Sequence, residues 1–128
     1  MRFLLDTQIL LRSIYQPARI PAATQALLVD PGNDILFSAA SIVEIAIKSS
    51  LGRSDFPFRP VEVAESARLT GFVELAVSSR QAAHLAAMPW HHRDPFDRLL
   101  IAQAIEEGLR FLTTDRLLAT YSDLVACV

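Results

Sequence analysis

Apolar positions in this chain follow two alternating patterns. Short solid runs occur at Phe3-Leu4-Leu5, Ile35-Leu36-Phe37, within residues 72–77 and at Phe111-Leu112. Each is too short and too continuous for an amphipathic helix, and each reads as a buried strand. Between them, apolar residues recur at helical spacing over 7–15, 22–29, 38–51, 61–69, 78–87 and 96–107. Turn chemistry separates these segments: Pro17 to Pro21, Pro31-Gly32-Asn33, Gly52, Gly71 and Gly108. Residues 53–60, with two prolines and two phenylalanines, read as an ordered loop, and 124–128 as an edge strand. Strands alternating with helices predict a three-layer α/β/α sandwich around a mostly parallel sheet, one domain spanning 1–128.

That topology gives meaning to two acids. The first and fourth strands each end on an aspartate beside a threonine, Leu5-Asp6-Thr7 and Thr113-Thr114-Asp115. In a parallel sheet with right-handed crossovers, the carboxyl ends of strands and the starts of the following helices share one rim. Glu44 lies in the early turns of the helix after the second strand. Asp97 lies in the first turn of the helix that precedes the fourth, so its N-terminus is on the same side. Four carboxylates therefore converge by topology.

Each acid also has a reading as a helix cap. Ser41-Ile42-Val43-Glu44 fits a capping box, Asp94-Pro95 fits an N-cap followed by proline at N1, and Asp6 and Asp115 stand where N-caps fall. Gathered in one cleft, however, ionised carboxylates repel unless some are protonated or a cation joins them. An all-oxygen donor set favours magnesium or manganese over zinc. The matching chemistry is hydrolysis of a phosphodiester, with Thr7 and Thr113 supporting the acids from behind and Asp94 acting as a cap or through water.

Composition changes this picture only in part. The 128 residues, 52% hydrophobic and 20% charged, are enough for a folded domain with a substantial core. A formal charge of −2 argues against binding nucleic acid through bulk positive charge. With four acids taken up by metal the rest of the surface becomes net positive, and every basic residue but Lys48 is arginine, which suits forked contacts to phosphate. Arg93, Arg98, Arg116 and Lys48 lie near the acids in sequence and are candidates for neutralising phosphate, or for pairing with the acids. Trp90, His91 and His92 are candidates for stacking on bases or for packing the loop. Three histidines and the single Cys127 give no zinc spacing and no internal disulfide. With neither signal peptide nor membrane-length apolar segment, a cytoplasmic protein is expected.

Taken together, Leu4-Leu5-Asp6-Thr7, the stretch 38–48, His92-Arg93-Asp94-Pro95-Phe96-Asp97 with the helix after it, and Leu112-Thr113-Thr114-Asp115 resemble the PIN-domain family, in particular its VapC-type toxins. The resemblance implies a magnesium- or manganese-dependent ribonuclease with Asp6, Glu44, Asp97 and Asp115 as its acidic quartet. It also implies a homodimer held in check by a small antitoxin protein. Two positions depart from the pattern: Gln8 stands where histidine is usual, and Arg12 where an aromatic is common. The alternatives are a catalytically silent PIN-like module that binds RNA or protein, and an RNA-processing nuclease without a toxin role. A haloacid-dehalogenase-like phosphatase would need a second aspartate at position 8. A phosphoreceiver domain would need an acceptor aspartate after the third strand and a late lysine, and this chain has neither.

Overall fold

A computed structural model describes residues 1–90 and 93–128. Five strands, β1 (Arg2–Leu5), β2 (Asp34–Ser38), β3 (Val73–Leu75), β4 (Arg110–Thr113) and β5 (Val125–Cys127), form one sheet in the order β3-β2-β1-β4-β5. All four pairings are parallel, with Leu4 opposite Leu36 on one side and Leu5 opposite Leu112 on the other. The helices are α1 (Thr7–Tyr15), α2 (Ala22–Val29), α3 (Ala39–Ser50), α4 (Pro60–Thr70), α5 (Ser79–His84) and α6 (Pro95–Glu107), with short 3-10 turns at Pro17–Arg19, Leu85–Ala87 and Arg116–Thr120.

Strand pleating divides the core into two layers. Phe3, Leu5, Ile35, Phe37 and Leu112 point to the side covered by α1, α4 and part of α3, whereas Leu4, Leu36 and Phe111 point toward α6. Leu4, Leu5, Phe37 and Phe111 are fully buried, so truncating any one to alanine removes roughly 2–5 kcal/mol. Local chemistry sets the helix limits. Asp94 caps α6 with Pro95 at its first position, and the helix ends at Gly108 with φ 65°, a left-handed backbone that only glycine adopts readily. Ser78 and Gln81 form a reciprocal capping box on α5.

Two sequence expectations need correction. The third strand is only Val73–Leu75, shorter than the expected 72–77, because β3 is an edge strand with Val73 and Glu74 exposed. Ser38, not Ser41, caps α3 by accepting from the Ala40 N–H at 2.9 Å, so Ser41 is already inside the helix and Glu44 takes no part in a capping box.

Strand order also fixes where a cleft must open. From β1, the chain moves outward to β2 and β3, then returns to the other side of β1 for β4 and β5. The reversal lies between β1 and β4, and in open α/β sheets the crevice forms outside the carboxyl ends of the strands at that point. Asp6 directly follows β1, and Asp115 follows β4 after one residue.

Candidate active site

A cleft of about 380 Å³ opens at this position, and its lining includes Asp6, Glu44, Asp97 and Asp115. Its lining comes from α1, α3, the start of α6 and the strand end 113–115, with further residues from the connections after α1 and α3. The structure therefore brings the four expected acids to one cavity, although they lie far apart in sequence.

Asp6 is 6% exposed and caps α1, its Oδ1 accepting from the Ile9 N–H at 2.6 Å. Burial raises its pKa above the usual 3.8; the Thr113 hydroxyl, the backbone N–H groups of Ile9 and Thr114, and the charge of Arg12 oppose that shift without cancelling it. A carboxyl in this setting is short of positive charge. Glu44, also 6% exposed, is held at both oxygens: Oε1 lies 2.8 Å from the Thr7 hydroxyl and Oε2 2.7 Å from Lys48 Nζ. Thr7 is also hydrogen-bonded to Ser41 at 2.9 Å, so the end of β1 is tied to α3 through the acid. Thr113 Oγ1 accepts from the Asp115 N–H at 3.0 Å, and Asp115 Oδ1 accepts from the Leu117 N–H at 3.0 Å. Asp94 Oδ1 accepts from the Phe96 and Asp97 N–H groups at 2.9 and 3.4 Å while also lining the cleft. The capping and cleft roles thus coexist at Asp6, Asp94 and Asp115.

The acids surround the cleft without forming a closed cage. Among the described residues, no three acidic, histidine or cysteine side chains converge closely enough to hold one ion between them. Magnesium does not require such a cage, since it is usually bound through one or two carboxylates and keeps several waters. An all-oxygen donor set that includes an under-compensated buried carboxyl, Asp6, fits a hard divalent cation.

Of the four cations expected from proximity in sequence, Lys48 lines the cleft and Arg93, Arg98 and Arg116 do not. Among the described residues lining the cleft, the basic ones are Arg12, Arg19 and Lys48. Arg98 is turned away: it is 3% exposed, donates to the carbonyls of Leu85 and Met88 at 3.3 and 3.2 Å, and stacks 3.7 Å from the centre of the Trp90 ring. It holds α6 to the preceding turn, with Trp90 over it. Neither Arg93 nor Arg116 contributes to the cleft lining. His84 sits 2.8 Å from Glu106 as a satisfied surface pair, and the expectation for His91 and His92 lies outside the described residues. Sequence reasoning missed Arg19, Phe56 and Phe58 as cleft residues. The available signal was the helical face Gln8, Leu11, Arg12, which adjoins the buried pair Ile9 and Leu10.

An all-parallel sheet reversing beside β1, with acids collected at its carboxyl rim, is the arrangement of the PIN fold. The chain belongs to the PIN-domain family, whose match runs over residues 3–124. Among solved structures it is similar to a chain of VapBC2 from Rickettsia felis bound to a DNA fragment from their promoter, at 15% identity and a TM-score of 0.70, over 98% of this chain and 96% of that one. It is also similar to VapBC-1 from nontypeable Haemophilus influenzae, at 19% identity and a TM-score of 0.58, over 90% and 87% of the two chains. A domain of a functionally unknown protein from Methanocaldococcus jannaschii DSM 2661 matches at 17% identity and a TM-score of 0.58, over 93% and 81%. These are likenesses of fold. No curated protein sequence matches the chain.

Proposed function

We propose that this protein is a magnesium- or manganese-dependent endoribonuclease and the toxin of a toxin–antitoxin pair. The observation that carries the reading is the single cleft lined by Asp6, Glu44, Asp97 and Asp115 in a PIN-domain chain. A bound divalent ion would polarise the phosphate and lower the pKa of an attacking water. The chain's own part is to present carboxylates. Asp6 and Asp115 stand at the strand ends, where β1 and β4 fix their separation, and Asp97 is set by the cap and proline that start α6. Glu44 is oriented by Thr7 and restrained by Lys48, which holds a position that a cation would otherwise take.

The same reading makes residues 1–128 one working unit in the cytoplasm. It pairs the chain with a second copy and with a small antitoxin protein that covers the cleft. Support for association comes from the VapBC neighbours and from Val43 and Ile47, half-exposed one turn apart on α3. Among the described residues no helix is long and apolar enough to cross a membrane.

The test is purified protein with structured and unstructured RNAs, with and without magnesium or manganese. Cleavage should require the ion and fall in Asp6→Asn and Asp97→Asn; cleavage that survives chelation or either substitution would sink the mechanism. The toxin role is tested separately, by growth arrest on expression and its relief by a small neighbouring open reading frame. A wild type that cleaves RNA yet leaves several hosts unharmed points to an RNA-processing enzyme.

A further inference from the structure

A second cavity, of about 410 Å³, opens at the amino end of the sheet, the end opposite the acids. Asp34 and Val73, the first residues of β2 and β3, belong to its lining, which runs from buried Ile20, Ile35 and Phe72 to exposed Val29 and Val73. Residues 16–20 wall both cavities: Gln16 and Arg19 line the acid cleft, Pro17 and Ile20 this one. A mostly apolar hollow with a few polar groups, within the roughly 300–1,000 Å³ of small-ligand sites, is a form that binds small molecules.

Its polar groups select the kind of ligand. The side-chain donors of the lining are already in use: Ser13 Oγ donates to the Leu10 carbonyl at 2.7 Å, and Gln25 Nε2 to the carbonyls of Pro17 and Ile20 at 2.7 Å each. Asn33 Nδ2 donates to the Leu27 carbonyl at 3.1 Å, and Thr70 Oγ1 to the Ser66 carbonyl at 2.8 Å. The charged members are both acids, Asp30 and Asp34, and among the described residues no cation lies within salt-bridge distance of either. Asp30 Oδ1 accepts from the Gly32 N–H at 2.8 Å, which explains its place in the turn and leaves its charge uncompensated. Asp30 is also the C-cap of α2, where the helix dipole disfavours an anion, and the last turn of α2 has no basic residue. Ser13 and Thr70 bring the carboxyl ends of α1 and α4 to the same cavity, adding their partial negative charge. The cations of those two ends lie elsewhere, Arg12 in the acid cleft and Arg68 on Glu74 at 3.1 Å. The N-terminal ammonium is held by the Gly32 carbonyl and Asn33 Oδ1 at 3.2 Å each, outside the lining. We propose that this cavity is a binding site for a small organic cation, a primary amine carried on an apolar body. The body takes the place of water against Ile20, Ile35 and Phe72, and the ammonium supplies the donors and the positive charge that the lining lacks.

The experiment is a methyl-resolved NMR titration of the full chain with 4-phenylbutylamine. Two further probes, 4-phenylbutanol and 4-phenylbutyrate, keep the apolar body and change the head. The amine should shift the methyl signals of Ile20, Leu28, Val29, Ile35 and Val73, with the millimolar affinity that suits so small a ligand. The alcohol should bind about ten-fold more weakly, and the acid should not bind. Asp30→Asn and Asp34→Asn should each weaken the amine about three-fold, and the double variant about ten-fold. Asparagine at 30 keeps an acceptor for the Gly32 N–H, and position 34 is exposed, so these variants keep the fold. Val73→Trp sets a large ring in the lining from an exposed edge strand and should abolish the shifts at the other positions.

Shifts confined to Leu11, which lines the acid cleft, would overturn the site. So would equal affinity for amine, alcohol and acid, or an affinity unchanged in the double asparagine variant. A lysine-containing peptide that binds through Asp30 and Asp34 when the amine does not would make this surface a protein contact, and would overturn it too. The site stands apart from the nuclease reading, because binding is read without activity. A chain that cleaves no RNA and still binds the amine loses that reading and keeps the site.

Discussion

Two sets of buried polar side chains occupy the carboxyl end of the sheet, and they are built on opposite principles. One joins Ser38, Gln103 and Gln81, which are all 2% exposed or less. Ser38 donates to Gln103, Gln103 donates to the Ala76 carbonyl and to Gln81 at 3.3 and 3.0 Å, and Gln81 donates to Glu107 at 2.9 Å. Every link joins a donor to an acceptor, and only Glu107 at its edge carries charge. The other set is Asp6, Thr7, Ser41 and Glu44, where two carboxylates are buried and, among the described residues, Lys48 is the one cation within salt-bridge distance of either. A satisfied neutral network holds β2, α5 and α6 in place. A charged set left short of positive charge is poised to take a cation, and the fold tolerates it because the rest of the rim is secured.

This contrast can be broken from either side. The largest effect is expected at the acids: Asp97→Asn should reduce metal-dependent RNA cleavage by more than the roughly 10–100-fold typical of losing a supporting group at a metal site. Its thermal melt should stay close to that of the wild type. Retained cleavage at near-normal rate would show that Asp97 takes no part in the reaction.

Gln103→Leu attacks the neutral network, leaving the Ala76 carbonyl without the Gln103 amide and the Ser38 O–H without its acceptor, although Ser38 still accepts from the Ala40 N–H. A loss of about 3 kcal/mol is expected, read from the urea midpoint. Cleavage per folded molecule should persist. A loss under about 1 kcal/mol would mean that water replaces the amide.

Asp6→Asn sharpens the comparison through its sign. Because the folded carboxyl binds its proton more tightly than the unfolded one, near 3.8, its contribution to stability is complete below that pH. It is lost as the pH rises through the folded value. At neutral pH the ionised group therefore opposes folding of the metal-free protein. Asparagine keeps the cap on α1 and removes the charge, so the metal-free variant should melt higher than wild type at pH 7, with the difference vanishing below about pH 4. A lower melt at pH 7 would show that Asp6 stabilises the fold.

The smallest effect is expected at Lys48, half-exposed beside Glu44. Lys48→Met leaves the buried Glu44 carboxylate without its ion-pair partner, so stability should fall by about 1 kcal/mol by chemical denaturation, more than an exposed pair contributes.

Much of this was legible in the chain itself. The runs around Leu4, Leu36 and Phe111 identified the central strands because strands buried on both faces leave no polar alternation. The cleft acids could be placed because helix starts and strand ends share a rim. What escaped the sequence depends on packing between elements. Phe56 and Phe58 sit in a segment without periodicity, and only the course of that connection brings them to the cleft. Arg98 follows Asp97 directly, yet the turn of α6 points it away from the acids and under Trp90. Gln8 and Arg12, the two positions expected from the sequence to depart from the pattern it resembles, both line the cleft.

The pairing of β1 with β4 has a consequence in time. Asp6 is synthesised well before β4, yet its N–H is bonded to the Leu112 carbonyl at 2.9 Å, and Asp115 follows that strand. A nascent chain that has not reached β4 carries three of the four acids, Asp6, Glu44 and Asp97, and no neighbour for that side of β1. The cleft is therefore completed only once β4 and the residues after it have emerged, long after the strand that leads into Asp6.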